Sequence, residues 1–160
     1  MTETTIQAFF YAIEQKEPES VLDIGMFLRK IGSISREFGD KTIGDKVRLC
    51  GVDHGDETLF PVYRALYDDI LDYPQFLDDD KDASEHYDLA LYLGMAQEQK
   101  SVPDERLLDW LRTRTDYLFT EYNDDAGMEK LGRYGTVTGI TLDGEGYLVV
   151  KMRPETTDAK

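Results

Sequence analysis

The chain has 160 residues, enough for one domain with a core and too few for two. Its 33 acidic residues against 18 basic ones give a formal charge of −15, a surface that repels phosphate backbones, so no direct nucleic-acid partner is expected. A hydrophobic share of 41% in periodic blocks argues against disorder, and no apolar run approaches the roughly 20 residues that span a bilayer, so no membrane partner is expected either.

Residues 5–15 put Ile6, Phe9, Phe10 and Ile13 on one helical face, and the polar run Glu17-Pro18-Glu19-Ser20 ends that helix. The leading segment has no basic stretch and no small-residue cleavage site, so the expected location is the cytoplasm. VLDIG is a short strand closed by glycine, after which Phe27, Leu28, Ile31 and Ile34 or Phe38 can line a helix that stops near Gly39. KVRLCGVDH is a second apolar strand, suited to burial on both faces and ending in Asp53. Cys50 lies within it; a lone thiol can make no internal disulfide, and burial is its expected state.

Between Pro61 and Pro74 the pattern fits a short helix, a strand near Tyr67 to Leu71, or one followed by the other. DDDKDASEH is an acidic loop. Its Asp78, Asp80 and Asp82 have calcium-loop spacing, but Ala83 replaces the turn glycine and Leu89 the terminal glutamate. One Cys and two distant His cannot close a zinc cluster, so no metal is expected. YDLALYLG is a strand ended by Gly94, and SVPDERLLDWLRTRT a helix with acids in its first turn, arginines in its last, and leucines at helical spacing. DYLFTEYN is a strand, a short helix fits around Met128 to Leu131, and GTVTGITLDGEGYLVVKM reads as two strands joined at Asp143-Gly144-Glu145-Gly146. This alternation predicts an α/β domain over residues 1–154, with a polar tail over 155–160.

In this order the pieces resemble the class I S-adenosylmethionine-dependent methyltransferases over nearly the whole chain. VLDIG is similar to the family's first strand and motif start, VRLCGVDH to its second strand, YDLALYLGMAQ to its fourth, and the closing hairpin to its sixth and seventh. The resemblance implies a Rossmann-like, three-layer αβα fold with a mainly parallel seven-stranded sheet and an antiparallel C-terminal hairpin strand. It also implies S-adenosylmethionine as cofactor and a small-molecule or protein acceptor. With no inserted lid or second domain, acceptor recognition would fall to the loops at the carboxyl ends of the strands or to a partner, as a homodimer or with another chain.

The resemblance assigns site residues position by position. Asp23 matches the acid that sets the motif loop and the amino end of the cofactor, although a strand-end acid also caps a following helix. Gly25 matches the first glycine of the loop, where backbone approaches ligand closely. Asp53, 28 positions further on, matches the acid that accepts the ribose hydroxyls. Asp69 resembles the acid that meets the adenine amino group after the third strand, with Asp68 a near equivalent. Phe27 and Arg29 occupy the places of the second and third glycines of D-x-G-x-G-x-G. A phenyl ring at Phe27 would fill part of the cofactor space or serve as core, which makes a catalytically degenerate scaffold the alternative to an enzyme. Gly94 and Gln97 follow the fourth strand, where the family faces its acceptor, and the resemblance also counts Gly94 among the cofactor-binding residues. Tyr92 and His54 are the candidate catalytic residues, as acceptor-orienting hydroxyl and general base, against the ordinary readings of packing tyrosine and surface histidine.

Overall fold

The computed structural model describes residues 18–25, 48–53, 67–72, 77, 85–93, 102–142 and 144–153. The strands are β1 (Ser20–Ile24), β2 (Arg48–Asp53), β3 (Asp69–Asp72), β4 (Tyr87–Tyr92), β5 (Thr115–Glu121), β6 (Gly135–Leu142) and β7 (Glu145–Met152). Two helices join the later ones, α1 (Glu105–Arg112) between β4 and β5 and α2 (Asp125–Gly132) between β5 and β6. The expected helices over residues 5–15 and around 27–38 lie outside the described residues.

All seven strands form one sheet in the order β3-β2-β1-β4-β5-β7-β6. Strands β1 to β5 run parallel to one another, whereas β7 is antiparallel to both β5 and β6. This is the Rossmann-like methyltransferase order, with the reversal produced by the final hairpin. The chain leaves β1 toward β2 on one side and returns to β4 on the other, so the sheet's switch point lies between β1 and β4.

The apolar runs become two-sided strands. Leu22, Ile24, Cys50, Val52, Ala90, Tyr92, Leu118 and Val150 face a core closed by Val102, Leu107, Leu108, Trp110 and Leu111 from α1 and its lead-in and by Leu131 from α2. On the other face Val21, Leu49, Leu89, Leu91 and Phe119 are buried too. Burial on both faces is why these strands show no hydrophobic alternation.

Helix α1 is shorter than the run SVPDERLLDWLRTRT: it starts after Asp104, whose carboxylate accepts from the Leu107 N–H at 2.9 Å, with Glu105 in the first turn and Arg112 in the last, and Arg114 lies beyond its end. Asp124 caps α2 in the same way, accepting from Gly127 N–H at 2.7 Å. The hairpin turn is tighter than the four-residue signal implied. Only Asp143 and Gly144 separate β6 from β7, Gly144 takes φ 81°, and Glu145 and Gly146 belong to β7. Within the ambiguous middle, β3 occupies four residues and Tyr67 is used as a side-chain anchor. Among the described residues no helix is long and apolar enough to cross a membrane.

Candidate functional site

The two edges of the sheet differ in what they do. The amino edge is stitched together: Arg48 reaches Glu85 at 3.1 Å and Asp69 at 3.6 Å, and His86 Nε2 lies 3.1 Å from Asp116. The Asp88 carboxylate accepts from Glu19 N–H at 2.7 Å, and that of Asp68 from Leu49 N–H at 2.8 Å. His86, Asp88 and Asp116 place one ligand atom each within 4.8 Å of one another. His86 and Asp116 already pair on the surface, so this cluster is accounted for as an exposed hydrogen-bonded pair.

The carboxyl edge carries the candidate site. Gly25 leaves β1 with φ 88°, a backbone conformation that side-chain-bearing residues rarely adopt, and its N–H donates to the Val52 carbonyl at 2.9 Å. The first strand is thereby fastened to the second at the point where the chain turns toward the switch point. Asp53 ends β2, half-buried, and its register partner on β3 is Asp72, which is exposed. Neighbouring parallel strands lie about 4.8 Å apart, so the two carboxylates sit side by side on one face of the rim.

Asp23 is on that same face but two residues further in, beside Gly51, and is fully buried. The Tyr67 hydroxyl donates to its Oδ2 at 2.6 Å. The bond reaches across β2, whose residue level with Asp23 is a glycine with no side chain in the way. Asp23 therefore acts on the shape of the β1 end from within the fold.

Asp69 requires a correction. It is the first residue of β3, level with Cys50, and its carboxylate faces Arg48 at the amino edge. The acid at the carboxyl end of β3, level with Asp53, is Asp72. The displacement follows from the strand beginning two residues later than Tyr67, which the ambiguous hydrophobic pattern could not fix. Asp68, the near equivalent, also lies at the amino edge.

Tyr92 closes β4 at the carboxyl edge, but only 2% of it is exposed and its ring belongs to the core cluster beside α1. Its carbonyl accepts from the Thr120 hydroxyl at 3.0 Å. In this position it packs the sheet against the helix. Phe27, Arg29, His54, Gly94 and Gln97 lie outside the described residues.

One aromatic at this edge escaped the sequence reading. Tyr122, just past β5, is 41% exposed and donates its hydroxyl to Asp125 at 2.6 Å. That bond to the carboxylate holds its proton above the ordinary phenol range. Its backbone pairs with Gly146, where an added Cβ would press on the Tyr122 side chain at 3.2 Å. The available signal was the combination of Tyr122 with the Asp124-Asp125 cap, which only the fold brings beside the β7 start.

No protein-family model and no curated protein sequence matches the chain. Solved structures do. A methyltransferase from Geobacter sulfurreducens superposes with a TM-score of 0.59 at 13% identity, covering 96% of this chain and 80% of that one. A Listeria monocytogenes protein assigned to the class I S-adenosylmethionine-dependent methyltransferases gives 0.54 at 16% identity, over 98% of this chain and 60% of its own. SMU.776, solved as a complex with SAH, gives 0.55 at 8% identity, over 94% of this chain and 50% of its own. At these identities the likeness is one of fold, and the fold is that of the class I methyltransferases.

Proposed function

We propose that the chain binds S-adenosylmethionine at the carboxyl edge and transfers its methyl group to a small-molecule or protein acceptor. The observation that carries this reading is the conjunction at the switch point: Gly25 in the left-handed region, bonded to Val52, with the Asp53 and Asp72 carboxylates on the adjoining strand ends. The donor set fits the group. A ribose diol would offer two hydroxyl donors to Asp53, an adenine amino group would offer one to Asp72, and the turn at Gly25 would let backbone approach the methionine portion. Asp23 is a positioning residue, held by Tyr67 and setting the end of β1.

When bound, the cofactor supplies an electrophilic methyl on a sulfonium, so the sulfur–carbon bond breaks as the acceptor–carbon bond forms and the acceptor gives up a proton. The chain's task is to bind, orient and keep water out. The same fold neighbours support the reading, since one of them was solved with SAH.

Phe27 and Arg29, where the family has glycines, favour a second reading in which the fold serves as a binding scaffold without catalysis. Calorimetric titration with S-adenosylmethionine and with its demethylated product separates the two. Binding in the micromolar range, with a matching rise in Tm and roughly tenfold weaker binding for Asp53→Asn, is the enzyme outcome. No heat and no Tm shift at millimolar ligand would leave the scaffold.

A further inference from the structure

The two edges of the sheet are protected very differently. An edge strand offers unpaired N–H and C=O groups to any other strand, and proteins usually blunt it with charge, proline or short length. Strand β3 follows that rule: it has four residues and an aspartate at each end. Strand β6 does the opposite. Its eight residues, GTVTGITL, include no charge and no proline, in a chain of which 32% is charged. Every other described strand carries at least one charged residue. Thr136, Thr138, Gly139 and Thr141 are exposed, Val137, Ile140 and Leu142 half-buried, and among the described residues β7 is the only strand paired with β6.

The charges that flank β6 are segregated by end. At its start lie exposed Arg133, Lys151 on β7 level with Thr136, and Arg153 just past β7. At its far end lies exposed Glu145, level with Leu142. Two copies paired antiparallel about a twofold axis would set Gly135 against the partner's Leu142, and so bring the basic end of each against the acidic end of the other. A parallel pairing would set like charges together at both ends. A twofold arrangement also closes on itself, so it stops at two chains.

We infer that β6 is a self-association edge, pairing antiparallel with β6 of a second copy to extend the sheet through both chains. The interface does not touch the carboxyl-edge site, so the inference stands apart from the proposed activity. An edge pairing of this length falls in the class of interfaces below about 1,200 Å², which associate weakly. Association is therefore read by sedimentation across a concentration series.

The wild-type chain passes from one-chain to two-chain mass as concentration rises, and Thr138→Lys shifts that midpoint at least about tenfold higher while circular dichroism and Tm stay unchanged. Arg133→Glu weakens the association, and adding Glu145→Arg to it restores the wild-type midpoint, which a folding defect would not do. One-chain mass throughout overturns the inference, as does a dimer indifferent to Thr138→Lys. Slow hydrogen exchange along β6 in a chain of one-chain mass would show the edge covered by the chain's own residues, which overturns it equally.

Discussion

Two buried side chains separate what a residue does for the fold from what it does for the site. The Tyr67 hydroxyl donates to the Asp23 carboxylate inside the sheet, and hydrogen bonds to buried charged groups contribute about 1.5–3 kcal/mol. Tyr67→Phe should lower stability by that amount, read from the denaturant midpoint. Because Tyr67 bonds to Asp23, which is buried inside the sheet, cofactor binding should weaken less for Tyr67→Phe than for Asp53→Asn. Cys50 is fully buried, and desolvation pushes its thiol from 9.0 up to about 11, against a smaller opposing effect of the Tyr87 hydrogen bond. The folded chain thus holds that proton more tightly than the unfolded chain does. The stability this contributes is full below pH 9 and is lost as pH climbs through about 11. Urea midpoints that fall across that window in the wild type and less in Cys50→Ser would show the link; parallel profiles for the two chains would break it. Alkylation of Cys50 at neutral pH should be slow until the chain is unfolded.

At the scale of elements, the glycines of β6 make opposite demands. A Cβ on Gly135 would fall on the Lys151 carbonyl of the paired strand, whereas one on Gly139 meets nothing within 4 Å. Gly135→Ala should cost about 1–3 kcal/mol through overpacking, and Gly139→Ala should be near neutral or slightly stabilising. Thermal unfolding of the two variants side by side checks this, and equal Tm values would refute the steric account. Elements with local signals were legible in advance: first-turn acids, the closing arginine and the leucine spacing marked α1, and Asp143-Gly144-Glu145-Gly146 marked the hairpin, although the helix begins only after Asp104 and the turn is shorter. The start of β3 was not, because its four half-exposed residues carry no period and its position is set by pairing with β2. The transfer of the third-strand acid from Asp69 to Asp72 is a direct result.

For the whole molecule, the distribution of charge matters more than its total. Among the described residues, Asp53, Asp72, Glu121, Asp124, Asp125 and Glu145 lie at the carboxyl edge, while Arg48, Arg112, Arg114, Arg133, Lys151 and Arg153 gather toward the amino edge, beside Asp68, Asp69, Glu85, Asp88 and Asp116. An acidic rim favours a cationic ligand at long range, and that attraction is screened by salt. S-adenosylmethionine carries a sulfonium charge that its demethylated product lacks. Raising ionic strength should therefore weaken binding of the cofactor more than binding of the product, and the same field would help product leave. Titrations of both ligands at two salt concentrations test it; equal salt responses would show that the rim does not act on the sulfonium.

The sequence by itself determined most of the strands, the presence of α1 and of the closing hairpin, and the order that matches the methyltransferase fold. Those features rest on contiguous residues: apolar runs, caps and turn glycines act over a few positions, so their signals survive without a third dimension. Only the tertiary structure decided which side chains meet. Tyr67 reaches Asp23 across the glycine of β2, Asp72 and not Asp69 stands beside Asp53, and Tyr92 is turned into the core. Each outcome depends on strand register. A shift of one residue moves a side chain to the other face of a sheet, and no local pattern records which shift the packing selects.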